Sequence, residues 1–245
     1  MIPPCKADDA AELQAVLERT CHRHGYERCR AAPISVDGAP CYARCQCATV
    51  GMPVRSFNGL FFHVEEVGVG DQLAACGLDF EWTACPVAYV GSTPGLSRQT
   101  QAVLVLYLNT AIVVPLDHIF VLSNGKLITA ERLCPGLELK TADGDRTIIE
   151  NVHIGPYFGS YVRIAMALDK PDLRLNGRLL NTNGLVSADY SAQIFCRSSE
   201  FAYLFSEQHT GLPSVGSAEY VDLHGEDCLG PPPPGVPASV FFSEQ

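Results

Sequence analysis

Residues 111–139 read AIVVPLDHIFVLSNGKLITAERLCPGLEL, and this stretch decides the fold class. Two apolar runs, AIVV and IFVL, predict buried β-strands on either side of a Pro-Leu-Asp corner and His118. Asn124-Gly125 then predicts a type I′ turn, because both central residues of that turn need φ > 0. The ring of His118 is expected to point into a specific environment, and the alternative is a histidine that only packs in the core.

The pattern of this stretch occurs twice in the chain. Asn58-Gly59 is followed by LFFHVEEVGVGDQL, and Asn124-Gly125 is followed by KLITAERLCPGLEL. Each copy has a second glycine at the same distance from the first, at Gly70 and Gly136. A repeat of about 65 residues is too long for a solenoid unit, so it predicts two β-subdomains folded against each other with pseudo-twofold symmetry.

Short apolar runs separated by turn residues continue from residue 50 to residue 186. Many strands with few helical periods predict an all-β sandwich or barrel-like class. In this interpretation residues 60–67 and residues 101–114 are single strands. The repeat is also expected to place Thr83 at the position of Thr147.

Composition divides the chain of 245 residues into three parts. Residues 1–46 form a short Cys-rich segment with one helix expected at 10–21, where Leu13, Val16 and Leu17 make an apolar stripe. Residues 47–195 form the β-rich domain. Residues 196–245 are expected to be a partly disordered tail that contains the polyproline run GPPPPGVP.

The cysteines leave several interpretations open. The chain has 11, an odd number, so at least one thiol is unpaired or bridges another chain. Those before residue 46 could form a disulfide module or remain free thiols. Zinc binding with His22 or His24 is a weaker alternative, because no CxxC pair is present. No metal site is predicted.

Charge and motif content exclude several function classes. The net charge is −10 and no Lys/Arg run occurs, so a nucleic-acid or anionic-membrane surface is not expected. No apolar run is long enough for a transmembrane helix, and the start of the chain lacks the pattern of a signal peptide. Either the protein is intracellular or a longer chain precedes this start. Nucleotide, zinc-protease and esterase motifs are absent from the sequence, and no cofactor is predicted.

Three segments taken in order resemble a Hint domain, the self-processing module of hedgehog C-terminal regions and inteins. They are CATVGMPVRSFNGLFFHVEEVGVGDQLAA at 47–75, LDHIFVLSNGKLITAERLCPGLEL at 116–139 and NGLVSADYSAQIF at 183–195. The resemblance covers residues 47–195 and includes the internal duplication, which is a property of Hint domains. It implies an all-β Hint fold built from two pseudo-twofold β-subdomains.

The resemblance implies autoproteolysis in cis. Cys47 would attack the carbonyl of Gln46 and convert that peptide bond into a thioester, with His118 as the acid that protonates the departing nitrogen. A sterol hydroxyl, water, or a downstream Cys, Ser or Thr would then open the thioester. Asp79 is the candidate for activating that second nucleophile, and Glu81 is a weaker one.

The chain also departs from the family pattern. Pro115 stands where a Thr is usual, three residues before the histidine, and Asp189 stands where hedgehog proteins have a cysteine. The His-Asn ending of inteins is absent, so splicing is not expected. Cys41 and Cys45 are alternatives to Cys47 as the nucleophile.

Two rival hypotheses stay open on these grounds. The first is a degenerate Hint-like fold that does not cleave and acts as a binding module. The second is a secreted, disulfide-rich structural protein. An extracellular location is consistent with the resemblance, whereas the start of the chain lacks a signal-peptide pattern.

Overall fold

The computed structural model describes residues 33–36, 39–42, 48–93, 100–157, 159–196, 199–206 and 211–224. Three predictions lie outside these residues: the helix at 10–21, the scissile bond between Gln46 and Cys47, and the polyproline run. Eighteen strands and a few short helices make up the described chain. No helix among these residues is long and apolar enough to span a membrane.

The strands, in chain order, are β1 Pro33–Val36, β2 Ala39–Tyr42, β3 Ala48–Thr49, β4 Pro53–Arg55, β5 Phe61–His63, β6 Gln72–Cys76, β7 Thr83–Pro86, β8 Tyr89–Thr93, β9 Thr100–Tyr107, β10 Thr110–Pro115, β11 Ile119–Val121, β12 Leu127–Thr129, β13 Glu138–Lys140, β14 Arg146–Ile148, β15 Asn151–Tyr157, β16 Tyr161–Ala165, β17 Leu179–Thr182 and β18 Leu185–Ala188. The 3-10 helices are η1 Val64–Glu66, η2 Ala130–Arg132 and η3 Ser199–Leu204, and the α-helices are α1 Tyr190–Phe195 and α2 Ala218–His224.

The named strands form antiparallel sheets that cross between distant parts of the chain. The largest sheet has the strand order β12-β11-β18-β17-β4-β5, and β6 pairs with β17 and β7. Two three-stranded sheets have the orders β10-β9-β15 and β3-β16-β8. Two-stranded ribbons, β1-β2 and β13-β14, complete the described topology.

The backbone hydrogen bonds repeat between the two halves of the domain. Met52 N donates to Thr49 O at 3.1 Å, and His118 N donates to Pro115 O at 3.0 Å. The tight turns repeat in the same way, since Gly59 N donates to Ser56 O and Gly125 N donates to Leu122 O. Both glycines have positive φ, at 94° and 79°, as their turns require.

The two halves exchange their last strands. Strand β9 follows β8 in the chain but pairs with β10 and β15, whereas β16 follows β15 but pairs with β3 and β8. Strands β17 and β18 pair with each other between the halves. Strand β17 also pairs with β4 of the first half, and β18 pairs with β11 of the second. The predicted all-β fold with pseudo-twofold duplicated subdomains is therefore confirmed.

Two predicted strands are wrong in their extent. Residues 101–114 fold as a hairpin of β9 and β10, because Leu108 and Asn109 both have positive φ, 48° and 57°, and make a two-residue turn. Residues 60–67 end their strand at His63 and continue as η1. Asn-Gly marks the turns of the β4–β5, β11–β12 and β17–β18 hairpins, whereas a leucine at positive φ carries no such signal.

The predicted match of Thr83 with Thr147 is also wrong. Cys85 pairs with Leu73 and Thr147 pairs with Leu139, so Thr147 corresponds to Cys85. The hairpin between β6 and β7 is longer than its counterpart between β13 and β14. We call residues 77–82 the β6–β7 extension, and it carries Asp79.

Strand β11 is buried on both of its faces. Phe120 packs into one apolar cluster with Val54 and Ile128, and Ile119 packs into a second cluster with Phe195 and Phe201. Successive side chains of a strand point to opposite faces, so both faces need an apolar neighbour. The second cluster includes residues from α1 and η3, which places the segments after β18 against the core.

Candidate functional site

The chain directly after Cys47 lies beside β10. Gln46 and Cys47 are outside the described residues, but Ala48 and Thr49 are buried in β3 and pair with Val162 and Tyr161. The Thr49 hydroxyl donates to Val113 O at 2.6 Å. This hydrogen bond ties the start of the domain to the strand that leads to His118.

The backbone of His118 is held on both sides. Its N–H closes a turn on Pro115 O, and its carbonyl accepts from Ala130 N at 2.8 Å. The residue is only 1% exposed, so the imidazole is fixed inside the protein. The Phe120 ring meets it edge-on, with ring centroids 4.8 Å apart and an interplanar angle of 67°.

The imidazole contacts a glutamine that is distant in sequence. Gln193 Nε2 lies 3.2 Å from His118 Nδ1, and the same nitrogen donates to Ala188 O at 2.9 Å. Gln193 belongs to α1, whose six residues are all buried. Sequence reasoning missed this contact, because a glutamine within an apolar run carries no signal of its own.

Asp189 caps α1 and so places Gln193. Its Oδ1 accepts from Ala192 N at 2.8 Å, and its backbone carbonyl accepts from Gln193 N at 3.0 Å. An aspartate at the N-cap satisfies N–H groups that the first turn cannot pair internally. The Asp189 in SADYSAQIF is a recognisable N-cap, and it was the signal that could have predicted this helix.

The Asp189 carboxylate is completely buried within a network of polar groups. It also accepts from Ser191 Oγ at 2.9 Å and Met166 N at 2.8 Å, and it lies 4.0 Å from an Arg178 nitrogen. Burial raises the pKa of Asp189 to about 6, although the hydrogen bonds and the Arg178 charge act in the opposite direction. The position therefore has a structural role in α1.

Arg178 is a second residue that sequence reasoning missed. It is buried and donates to Ser191 Oγ at 2.8 Å and to Asp169 Oδ1 at 2.7 Å. Its hydrogen bond to Asp169 lowers the pKa of that carboxyl. The guanidinium thus joins the loop before β17 to the first turn of α1.

Asp79 is an exposed residue of the β6–β7 extension. Its carboxylate accepts from Glu81 N at 3.1 Å and closes its own turn. The base of the extension is held to the other half by Trp82, whose indole N–H donates to Ala142 O at 2.9 Å. Asp79 therefore faces solvent, in contrast to the buried His118.

Four cysteines between residues 48 and 196 carry free thiols: Cys76, Cys85, Cys134 and Cys196. Burial raises the pKa of Cys76 and of Cys196 to about 12, and it raises the pKa of Cys134 as well. The thiolate is the reactive form of cysteine, so these three thiols are poor nucleophiles at neutral pH. Among the described residues no cluster of His, Cys, Asp or Glu could hold a metal ion.

No protein-family model and no curated protein matches the chain. Solved structures with a similar fold include a bacterial intein-like domain from Clostridium thermocellum, 16% identical with a TM-score of 0.48, covering 59% of this chain and 99% of that one. They also include the gp41-1 intein, 12% identical with a TM-score of 0.44, covering 58% and 97%. The Ssp DnaB mini-intein variant M86 is 10% identical with a TM-score of 0.47, covering 58% and 92%.

The fold is assigned from the strand topology. Two β-subdomains that repeat each other's hydrogen bonds and exchange their last strands form the duplicated architecture expected of a Hint-type domain. The all-β Hint-type fold predicted from the sequence is confirmed.

Proposed function

We propose that this Hint-type domain cleaves its own chain between Gln46 and Cys47. The observation that carries the proposal is the Thr49–Val113 hydrogen bond, which holds the residues after Cys47 beside the strand that ends at the His118 turn. The strand that contacts Thr49 leads directly into the turn of His118, and a buried histidine on a fixed backbone there is suited to acting on a peptide bond at the start of the domain. The reaction is intramolecular and needs no partner protein.

The chemistry is an N–S acyl shift. The Cys47 sulfur attacks the Gln46 carbonyl carbon, a C–S bond forms and the C–N bond to Cys47 breaks. The departing Cys47 nitrogen takes up one proton from the acid and leaves as a free amine, and the thiol proton replaces that proton on the acid. The Gln46 acyl group is then held on Cys47 as a thioester.

His118 is the acid in this proposal. An amide nitrogen is a poor leaving group until it is protonated, and a positioned histidine supplies a proton near neutral pH. Pro115 has no hydroxyl with which to polarise the scissile bond, so this part of the catalysis is assigned to His118. The buried thiols of the described residues do not compete with Cys47, because burial keeps them protonated.

Cleavage without splicing is favoured by the segment after Asp189. Splicing would require the chain to break at this position and release that segment. It forms α1, all of whose residues are buried, and the Asp189 carboxylate is engaged in capping it. A break after Asp189 would disrupt the core around Phe195 and Phe201.

The thioester is opened by a second nucleophile. Water, or the hydroxyl of a small molecule such as a sterol, adds to the Gln46 carbonyl and returns the proton to the Cys47 sulfur. We assign Asp79 to activating that nucleophile, because its carboxylate is exposed and can accept a proton. Asp79→Asn should then slow transfer to an added alcohol while leaving thiol-driven cleavage unchanged, and Glu81→Gln is the matched control.

The rival proposal is a Hint-like fold that no longer cleaves and acts as an interaction module. Pro115 and the structural role of Asp189 favour it, since both depart from the residues expected at these positions. Intact mass after incubation of the full chain with dithiothreitol separates the two. Self-cleavage gives a fragment that begins at Cys47, which Cys47→Ala abolishes, whereas an interaction module stays whole while folded.

A further inference from the structure

The amide of Gln193 contacts the catalytic candidate His118 from a helix that follows the duplicated strands. We propose that Gln193 is a positioning residue that keeps His118 Nδ1 unprotonated and the ring proton on Nε2. The catalytic consequence of this inference rests on the proposed self-cleavage, but the protonation pattern itself does not.

The first step is the orientation of the Gln193 amide. Its Nε2 lies 2.9 Å from Ala188 O. A backbone carbonyl only accepts hydrogen bonds, so the end of the amide that faces it must be the NH₂ group. Ala188 is fixed in β18 by pairing with Leu179, which makes it a rigid reference for this orientation.

The second step is the state of the ring nitrogen. The same NH₂ group lies 3.2 Å from His118 Nδ1. An NH₂ group only donates, so Nδ1 must accept and cannot carry a hydrogen. A neutral imidazole has one N–H, which therefore lies on Nε2; the protonation state follows from the hydrogen-bond partners.

The third step is the rigidity of the contact. Gln193 is completely buried and lies in α1, whose start is tied to Asp189 through Ala192 N. Strand β18 reaches β11 through the pairing of Ser187 with Phe120, so donor and ring belong to neighbouring elements. The side chain of Gln193 has little freedom to turn its carbonyl towards Nδ1.

The hydrogen bond from Gln193 therefore decides which of the two ring nitrogens of His118 carries the proton. With Nδ1 accepting from Gln193, Nε2–H is the one donor that the neutral ring of His118 offers. In the proposed cleavage this is the nitrogen that would give its proton to the departing Cys47 nitrogen and take up the thiol proton in exchange. Loss of the Gln193 amide would leave both tautomers accessible and reduce the fraction of molecules with the active one. A carboxylate at the same position would accept from Nδ1–H and favour the opposite tautomer.

The protonation pattern is tested by nuclear magnetic resonance of the full chain. The protein carries ¹⁵N-labelled histidine and Cys47→Ala, which keeps the Gln46–Cys47 bond intact, and the His118 signals are identified by their loss in His118→Ala. Nε2 should show the shift of a protonated nitrogen and Nδ1 that of an unprotonated one. Gln193→Glu should move the proton to Nδ1, whereas Ile194→Val, a buried neighbour in α1, should change neither shift. A protonated Nδ1 with Gln193 in place overturns the inference, as does a spectrum that Gln193→Glu leaves unchanged.

The catalytic consequence is tested by cleavage with Cys47 restored. Gln193→Leu keeps the volume of the side chain and removes its hydrogen bonds, so it should slow dithiothreitol-driven cleavage by about tenfold or more. Ile194→Val should cleave like the parent chain. Cleavage of Gln193→Leu at the parent rate contradicts the positioning role. If the parent chain itself is not cleaved, the proposed self-cleavage is wrong. The ¹⁵N spectra still test whether Gln193 keeps His118 Nδ1 unprotonated.

Discussion

The hairpins β4–β5 and β11–β12 have the same backbone and opposite burial. Phe61 pairs with Arg55 in the first hairpin, and Leu127 pairs with Val121 in the second, at equivalent positions. Phe61 is 51% exposed, whereas Leu127 is fully buried. The duplicated turn therefore determines the backbone conformation of both hairpins. The burial of each hairpin depends on the other segments that pack against it.

The segments after β18 account for the difference. Phe205 forms a parallel bridge with Leu127, and Ser206 N donates to Leu127 O at 3.1 Å. Phe201 of η3 packs in the same cluster and is completely buried. The β11–β12 hairpin thus has a second apolar layer, formed by residues 199–206, which we call the covering layer. Met52 precedes the β4–β5 hairpin and makes the same backbone hydrogen bonds there as His118 makes before the β11–β12 hairpin.

The largest expected effect comes from truncating the two equivalent hairpin residues. Leu127→Ala should lower the free energy of unfolding by about 2–5 kcal/mol, because it leaves a cavity between β12 and the segment that covers it. Phe61→Ala should change it by less than about 1 kcal/mol, because the ring is half exposed. Urea unfolding of both variants measures the difference. Equal losses of unfolding free energy would mean that the covering layer does not determine the burial of the β11–β12 hairpin.

A smaller effect is expected from the buried carboxylate of Asp189. Burial raises its pKa from 3.8 to about 6, so the protonated form is favoured in the folded state. Its contribution to stability is present below pH 4 and is lost as the pH rises to 6, on the order of 3 kcal/mol. Unfolding free energies measured between pH 4 and pH 7 should show this decline, and Asp189→Asn should remove it. A decline that persists in Asp189→Asn would assign the titration to another group.

The smallest effects are expected at the two turn glycines. Gly59 and Gly125 have positive φ, and an added Cβ would meet its nearest atom at 3.6 Å or nothing within 4 Å. Alanine at either position should therefore cost only the backbone strain, about 1 kcal/mol. Thermal or urea unfolding should give matching losses in the two halves. A much larger loss at Gly125 would show that the covering layer also depends on that turn.

The duplication could be predicted from the sequence because its turns are local. Asn-Gly pairs and glycines at positive φ leave a mark within a few residues, and so the hairpins of both copies were located. The exchange of β9 and β16 left no such mark, because it depends on pairings between distant strands. The turn at Leu108 and Asn109 was missed for a related reason, since leucine rarely adopts positive φ.

The candidate site was predictable only in part. His118 stood out by its place between two apolar runs, and the structure describes its position. Gln193 could not be found, because it lies 75 residues from His118 in the chain and its role depends on the packing of α1. The segment after residue 196 gave no periodic pattern, although Phe201 and Tyr220 are completely buried.

The most direct test of the central claim compares His118 with its counterpart Met52 in one cleavage assay. The variants His118→Leu and Met52→Leu place the same side chain at equivalent turns, and intact mass follows the fragment that begins at Cys47 in the presence of dithiothreitol. His118→Leu should lose cleavage by on the order of a hundredfold or more, while Met52→Leu should cleave like the parent chain. Cleavage by folded His118→Leu at the parent rate, or an equal loss in both variants, would contradict a specific role of His118 in the cleavage.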